Sequence, residues 1–126
     1  MTFEAALKAH LAADAALLAL VGTRITPSIL EQGGEYPAIA YMIIDEAPVN
    51  SLTSYSGLTR YAVLIECSAR TYDEARAIYR AVLDRMAVKT SAFSALRESG
   101  SGADNFDEAL RLHRVGALFG VWYRDQ

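Results

Sequence analysis

The stretch RYAVLIECSARTYDEARAIYRAVLDRMAV, residues 60–88, decides how the middle of this chain folds. Its first part alternates between apolar and mostly polar side chains, a pattern typical of a strand with one buried face. The apolar face carries Tyr61, Val63, Ile65, Cys67 and Ala69. Cys67 is therefore predicted to lie in the core, where burial raises the pKa of a thiol and leaves it unreactive. Glu66 belongs to the opposite face, so it cannot activate that thiol.

The second part of the same stretch has the signature of a helix start. Thr71 and Glu74 form a capping box, in which the hydroxyl accepts from a backbone N–H three residues on and the carboxylate reaches back. Apolar residues then recur at helical spacing, at Ala75, Ile78, Val82 and Met86. Because capping accounts for both Asp73 and Glu74, this acidic pair is interpreted as a helix start rather than a catalytic pair. The stretch predicts a strand-to-helix connection.

The bulk composition is that of a single folded domain spanning residues 1–126. The chain is 52% hydrophobic and 21% charged, which excludes an intrinsically disordered protein. A net charge of −3 gives no basic footprint for tight binding to duplex DNA. The one cysteine allows no internal disulfide, and no Cys/His cluster has zinc-ligand spacing. Composition therefore gives no reason to expect an oxidising compartment.

The first residues resemble a signal peptide only superficially. Glu4 offsets Lys8, so a positively charged leading region is missing, and Asp14 interrupts the apolar run. The clean run over residues 15–21 is far shorter than the roughly 20 residues of a bilayer span. We predict an amphipathic helix over residues 2–21 of a cytoplasmic protein, with a break just before Asp14 that would let this residue cap a second short helix.

Further strands are predicted on both sides of the central stretch. Residues 38–45 are rich in β-branched and aromatic side chains, and residues 91–98 could form a third strand. A last strand alternates from Leu110 to Arg124. Residues 46–59 are polar and are predicted as a long loop, and residues 98–109 as a flexible turn region.

The predicted order of elements is helix, strand, strand, helix, strand, strand. It predicts an α+β fold in which a four-stranded, mostly antiparallel or mixed sheet carries helices on one face. Gly116 and Gly120 lie on the less apolar face of the last strand, on either side of Leu118. Missing side chains at these positions indicate twist, a bulge or the close approach of another backbone.

Few residues of the chain could support catalysis. His10 lies in the first helix and His113 near the start of the last strand, and neither has a second histidine or a cysteine at metal spacing. Each is interpreted as a surface or strand-end residue rather than a ligand or general base. The run SGSG at residues 99–102 lacks the continuation of a phosphate loop. The sequence thus predicts no catalytic residue, no cofactor and no metal.

Apolar residues on the polar segment 46–59 are the first candidate contact with a partner. Leu52, Tyr55 and Leu58 occur there among serines and threonines. Exposed apolar side chains on a long loop are candidates for a partner surface.

Charged residues of the central strand are the second candidate. Arg60, Glu66 and Arg70 fall on the face opposite the apolar one. Such a face is either solvated, as most charged faces are, or a subunit interface in which the charges of one copy meet those of the next.

Four segments carry a resemblance to a known family: AALKAHLAADAALLALVGTRITP at 5–27, YPAIAYMIID at 36–45, RYAVLIECSARTYDEARAIYRAV at 60–82 and HRVGALFGVWYRD at 113–125. Over about residues 3–125 the chain resembles the tail-completion, or tail-terminator, proteins of long-tailed bacteriophages and gene transfer agents. Its most specific elements are Leu20-Val21-Gly22 with Arg24-Ile25, Tyr36-Pro37, the connection from Glu66 to Ala75, and the terminal Val121-Trp122-Tyr123. These are markers of a fold and not catalytic motifs.

The resemblance implies a structural role in the virion. Such proteins form a ring, commonly of six copies, on the head-proximal end of the tail tube. The ring contacts the tube protein on one side and the head-side connector or stopper protein on the other, and DNA passes through its lumen without specific binding. Assembly would take place in the cytoplasm of the bacterial host, with no membrane involved.

Two alternatives stay open. The first is a ligand-binding protein or enzyme of the small dimeric α+β barrel type, which the aromatic content and His113 favour and which predicts a concave apolar pocket. The second is a head-side joining protein of the same neck region, which sequence separates poorly from a terminator.

Overall fold

Helices packed on one face of a mixed β-sheet form the architecture of the chain. The structure, a computed structural model, describes residues 2–22, 24–27, 36–50, 55–90, 93–98, 104–108 and 111–124. The helices within these residues are α1 (Phe3–Ala12), α2 (Ala15–Val21) and α3 (Tyr72–Met86). The strands are β1 (Ile25–Pro27), β2 (Ala38–Asn50), β3 (Tyr55–Ala69), β4 (Phe93–Arg97), β5 (Asp104–Asp107) and β6 (Leu112–Arg124).

The sheet has the order β1-β2-β3-β6-β4, and β5 pairs with the same edge of β6 as β4. β1 runs parallel to β2 and the other pairs are antiparallel. The predicted α+β fold with helices on one face is confirmed. The predicted number of four strands is wrong, because the described residues form six. β1 has only three residues and β5 is polar and lies in the predicted turn region, so neither shows the apolar alternation that marks a strand.

The amino-terminal helical region is broken in two, as predicted. The Oδ1 atom of Asp14 accepts hydrogen bonds from the backbone N–H groups of Ala16 and Leu17, at 2.8 and 3.1 Å. The Oγ1 atom of Thr2 accepts from the N–H of Ala5 at 3.2 Å. Each cap satisfies donors that have no partner within their helix, which is why both helices start where they do.

The central stretch forms the predicted strand-to-helix connection. β3 ends at Ala69 and α3 begins at Tyr72, where the Oγ1 atom of Thr71 accepts from the N–H of Glu74 at 3.2 Å. The apolar face of α3 then packs on the sheet through Ile78, Val82 and Met86.

The core lies between the helices and the sheet. Its fully buried side chains come from both layers: Leu7, Leu11, Leu17, Ile39, Ile65, Ile78 and Phe119. Cys67 belongs to the same core with none of its surface exposed, which confirms its predicted location. Burial, and to a smaller degree the charge of Glu66, raises the pKa of the Cys67 thiol.

His10 lies in the interior, so the prediction of a surface histidine is wrong. His10 is 7% exposed, and its ring stacks on Phe93 of β4 with 4.2 Å between ring centroids. Because a carbonyl oxygen only accepts, the ring donates from Nε2 to the carbonyl of Arg85, at 3.0 Å. In return, Nε of Arg85 donates to the carbonyl of His10 at 2.6 Å. This reciprocal pair joins the end of α1 to the end of α3.

Stability is expected to fall as the pH drops through the range in which His10 titrates. Burial lowers the pKa of His10 below its ordinary value of 6.5, with a smaller lowering by the charge of Arg85 and an opposing effect of the hydrogen bond to the Arg85 carbonyl. The unfolded chain therefore binds a proton first as the pH falls below about 6.5, which favours unfolding until the folded pKa is passed.

Denaturant titrations of the wild type and His10→Gln between pH about 7 and about 5 check this expectation. The difference in unfolding free energy between the two chains should shift in favour of the variant as the pH falls. The matched control is His113→Gln. A wild-type-minus-variant difference that stays constant with pH for His10→Gln would contradict the expectation.

Candidate assembly surface

A long β-hairpin replaces the loop predicted over residues 46–59. β2 extends to Asn50 and β3 begins at Tyr55, and pairing continues through Glu46 with Tyr61 and Val49 with Leu58. We call residues 44–50 and 55–58 the hairpin end of the sheet. Leu52 lies outside the described residues, and of Tyr55 the structure describes only the backbone, in β3.

The hairpin end lacks the sequence pattern of a strand because neither face of it is buried. Residues 44–49 are all exposed, so no position there has to be apolar, and the sequence does not alternate between apolar and polar residues. Pro48 also indicates a turn when read in sequence, but proline is tolerated on an edge strand. Beyond Tyr41, where pairing with β1 ends, β2 has β3 as its only partner strand among the described residues. A register shift between Ile43 and Asp45 marks the point where the hairpin leaves the core.

The face of the sheet opposite the helices, here called the outer face, carries two of the predicted residues. Arg60 forms an ion pair with Glu98, which follows β4, and its guanidinium carbon lies 5.3 Å from the centroid of the Trp122 ring. Nη1 of Arg114 lies 3.5 Å from Oε2 of Glu66. Each predicted charge therefore has an opposite charge within its own chain.

Two glycines make room for these ion pairs. A Cβ atom at Gly120 would lie 2.6 Å from Oε1 of Glu98 and 2.8 Å from Nη2 of Arg60. One at Gly116 would lie 3.2 Å from Cγ of Glu66. The predicted close approach at both glycines is thus real, but its nearest atoms belong to side chains rather than to another backbone. The Arg60–Glu98 pair therefore passes directly over Gly120 of β6.

The outer face also carries a row of apolar side chains across β2, β3, β6 and β4. Met42 of β2 is 40% exposed and Leu96 of β4 is 63% exposed, while Leu64, Leu118 and Trp122 between them are half-buried. None of the described helices covers these side chains, because all three pack on the other face. A sheet face of this kind is suited to contact with another protein surface.

Arg70 lies apart from the outer-face ion pairs, whereas Leu58 lies two residues before Arg60 on the same face of β3. Arg70 is exposed beyond the end of β3, with its guanidinium carbon 5.8 Å from the ring centroid of Tyr36. Leu58 is half-buried near the hairpin end, where it pairs with Val49 and with Arg124. The predicted set is thus spread over the length of the sheet. The partners Glu98 and Arg114 were missed, although the alternation of β6 does place Arg114 on the face of Gly116 and Gly120.

The described residues offer little to a catalytic or ligand-binding role. They contain no group of three His, Cys, Asp or Glu side chains placed to hold a metal ion. A groove of about 570 Å³ runs between α2 and α3 and is lined by both acids and bases: Asp14, Asp73, Arg76, Arg80 and Asp84. Its lining also includes Ala16, Leu20, Ala77 and Ala81, so it is mixed and not the apolar pocket that the ligand-binding alternative predicts. A smaller cavity of about 310 Å³ beside His10, Phe93 and Tyr123 is the more apolar of the two. Within the same residues, no helix is long and apolar enough to cross a membrane.

A family model described as "Tail completion protein gp17" matches residues 5–123. The chain belongs to the tail-completion family. The predicted resemblance is confirmed by this match, and with it a structural role in a phage-type tail and a place in the virion.

A solved structure shares the fold of this tail-completion protein. The matching chain comes from the structure titled "Virion of native gene transfer agent (GTA) particle" and is 20% identical in sequence. The match covers 98% of this chain and 95% of the other, with a TM-score of 0.63. A search of curated proteins returned no match.

Proposed function

We propose that six copies of this chain, each a single domain of residues 1–126, form a ring at the head-proximal end of the tail tube. The ring stops tube growth and presents the surface to which the head-side connector or stopper protein binds. The observation that carries this proposal is the chemistry of the outer face: a sheet face with exposed apolar side chains and two ion pairs within the chain, in a member of the tail-completion family. Such a face suits a protein partner better than a solvated surface or a substrate.

The ring needs different surfaces for its different neighbours. A closed ring is held by heterologous contacts, in which one patch of a copy meets a different patch of the next. The hairpin end and the outer face are two such patches on one chain. The hairpin end, which includes Tyr55 and Leu58, contacts a neighbouring copy or the tail tube, and Leu52, which lies outside the described residues, takes part in the same contact. The mildly acidic net charge of −3 suits a lumen through which DNA slides, because basic side chains would hold its phosphates.

Electron microscopy of a producing lysate from which the gene has been deleted tests the proposal. DNA-filled heads lying apart from tails of irregular or excessive length are expected. Separate heads and tails of uniform length would move the protein to the head side of the joint. Normal particles would overturn the assembly role altogether.

Tyr55→Asp is expected to block tail completion without unfolding the chain. A charge introduced at the hairpin end would be desolvated in a contact without a partner, while the core is far from this position. The measurement is the yield of tailed particles from the variant, alongside the circular dichroism and unfolding midpoint of the purified chain. Tyr55→Phe serves as the control and should assemble. Normal particle yield from Tyr55→Asp would contradict this contact.

A further inference from the structure

A cavity of about 310 Å³ lies beside the reciprocal pair formed by His10 and Arg85. It is bounded by α1, the end of α3 and the strands β4 and β6, and we call it the His10 cavity. The described residues that line it are Ala6, Ala9, His10, Arg85, Thr90, Phe93 and Tyr123. Pockets that hold small ligands in proteins have volumes of about 300–1,000 Å³, so this one has room for a single ring or one side chain.

The walls of the His10 cavity are largely apolar and partly aromatic. The ring centroids of Phe93 and His10 are 4.2 Å apart, and Tyr123 lines the cavity from β6. Besides His10, α1 contributes only two alanines to the lining. Walls of this kind suit an aromatic ring or another apolar group.

Arg85 gives the cavity a positive charge that no acid among the described lining residues balances. Its Nε atom donates to the carbonyl of His10, and its Nη1 and Nη2 atoms have no acceptor among the described residues. The side chain is half-buried, and the bond at Nε fixes its orientation. The two Nη atoms therefore remain as a fork, the geometry that matches the two oxygens of a carboxylate.

The second group without a partner in the cavity is the Nδ1 atom of His10. Because Nε2 donates to the carbonyl of Arg85, Nδ1 is the acceptor of the neutral ring, and it has no donor among the described residues. His10 is more than nine-tenths buried. A buried polar atom without a partner favours a ligand that supplies one.

A carboxyl group satisfies both unpartnered groups at once. Its oxygens accept from Nη1 and Nη2 of Arg85, and one of them shares a proton, taken up from water on binding, with Nδ1 of His10. We propose that the His10 cavity binds a carboxylate carried on an aromatic ring or an apolar stem. The carboxylate belongs either to a small molecule in solution or to an acidic side chain of a neighbouring protein in the virion. The site does not depend on the proposed ring and would stand without it.

Calorimetric titration of the purified chain with benzoate tests the site. One benzoate should bind per chain, and benzylamine, which has the same ring and the opposite charge, should bind at least about tenfold more weakly. Ala9→Leu enlarges an exposed lining residue without replacing His10 or Arg85, and it should weaken benzoate binding about tenfold because it occupies the cavity. Ala5→Leu is the matched control: Ala5 is exposed on the same helix but does not line the cavity, so benzoate should bind as to the wild type.

Benzoate should also bind more tightly as the pH falls. The charged or titratable side chains among the described lining residues are His10 of α1, Arg85 of α3 and Tyr123 of β6, while β4 contributes only Phe93. A carboxylate beside Nδ1 favours the protonated ring, so binding is linked to the uptake of a proton. The dissociation constant at pH about 5.5 should be about tenfold lower than at pH about 7.5. His10→Gln should remove this difference, because it leaves no group in the cavity that titrates in this range.

Three results would each overturn the proposal: no binding of benzoate, equal binding to Ala9→Leu and the wild type, or one affinity at both pH values. Once binding follows the expected pattern, the yield of tailed particles from cells producing Ala9→Leu identifies the source of the carboxylate. A yield about tenfold below that of Ala5→Leu assigns the carboxylate to a neighbouring protein in the virion. An equal yield assigns it to a small molecule in solution.

Discussion

Replacing Phe119 by alanine is expected to destabilise the fold by about 3–5 kcal/mol. Phe119 is 2% exposed and lies at the centre of β6, where it pairs with Val63 of β3 and Arg97 of β4. Truncation removes the burial of an aromatic ring and leaves a cavity that a sheet with partners on both sides of this strand cannot easily close. Chemical denaturation of the purified chain measures the loss as a lower midpoint at unchanged slope.

Trp122→Ala is the matched control on the same strand. Trp122 is larger than Phe119. If the loss of stability depended on ring size alone, it would be larger for Trp122→Ala. The structure instead places Trp122 on the outer face, half-buried beneath Arg60, and not in the core between sheet and helices. We therefore expect a smaller loss for Trp122→Ala than for Phe119→Ala. Equal losses, or the reverse order, would contradict the assignment of the two faces of β6.

Sequence predicts those elements of this fold in which one face is buried and the other is not. The strand from Tyr61 to Ala69 and the helix after Thr71 carry that contrast, and both lie where the pattern indicates. The split between α1 and α2 is predicted for a different reason, since the carboxylate of Asp14 provides a cap that works within a few residues. Helix caps and the burial of one face therefore explain which helices and strands could be predicted from the sequence.

The missed elements have neither signal. The hairpin end is exposed on both faces, so its residues do not alternate between apolar and polar. Its proline and polar side chains are also typical of a loop. β1 and β5 pair with the strands that follow them in the chain, but each is only three or four residues long, too short to show an alternation of its own. His10 is buried because Phe93 and Arg85 meet it from other elements. A sequence pattern therefore does not predict the position of a residue when contacts with other elements of the fold determine it.

The candidate surface shows the same limit. Arg60 and Glu66 were predicted on the polar face of β3 from alternation alone, and the structure places them there. Their partners Glu98 and Arg114 come from segments far along the chain, so the neutralisation of this face could not be predicted. The sequence left two interpretations of this face open, a solvated surface and a subunit interface, and the pairing of its charges helps to choose between them. Because Arg60 and Glu66 are paired within the chain, we propose an interface for the exposed apolar side chains beside them.

Leu96→Asp is expected to abolish the joining of heads and tails while leaving the fold intact. Leu96 is 63% exposed at the edge of the outer face, opposite Gly120 and next to the ion pair of Arg60 with Glu98. In the free chain an exposed substitution of this kind changes stability by roughly 0.5 kcal/mol or less. In a contact that buries the outer face, the same carboxylate would lose its water and gain no partner, because Arg60 is already paired.

The expected drop in tailed particles is about a hundredfold, counted by electron microscopy in complemented deletion cells. Leu18→Asp is the matched control: Leu18 of α2 is 48% exposed, but it lies on the helical side of the chain. If both variants assemble normally, the outer face is a solvated surface after all. If both fail equally, the loss reflects added charge and not the face that carries it. Failure of Leu96→Asp alone, in a chain that still unfolds at the wild-type midpoint, would assign the outer face to a partner in the virion. Both leucines are exposed in the free chain, so the two variants can differ only if a partner covers Leu96 after folding and leaves Leu18 uncovered.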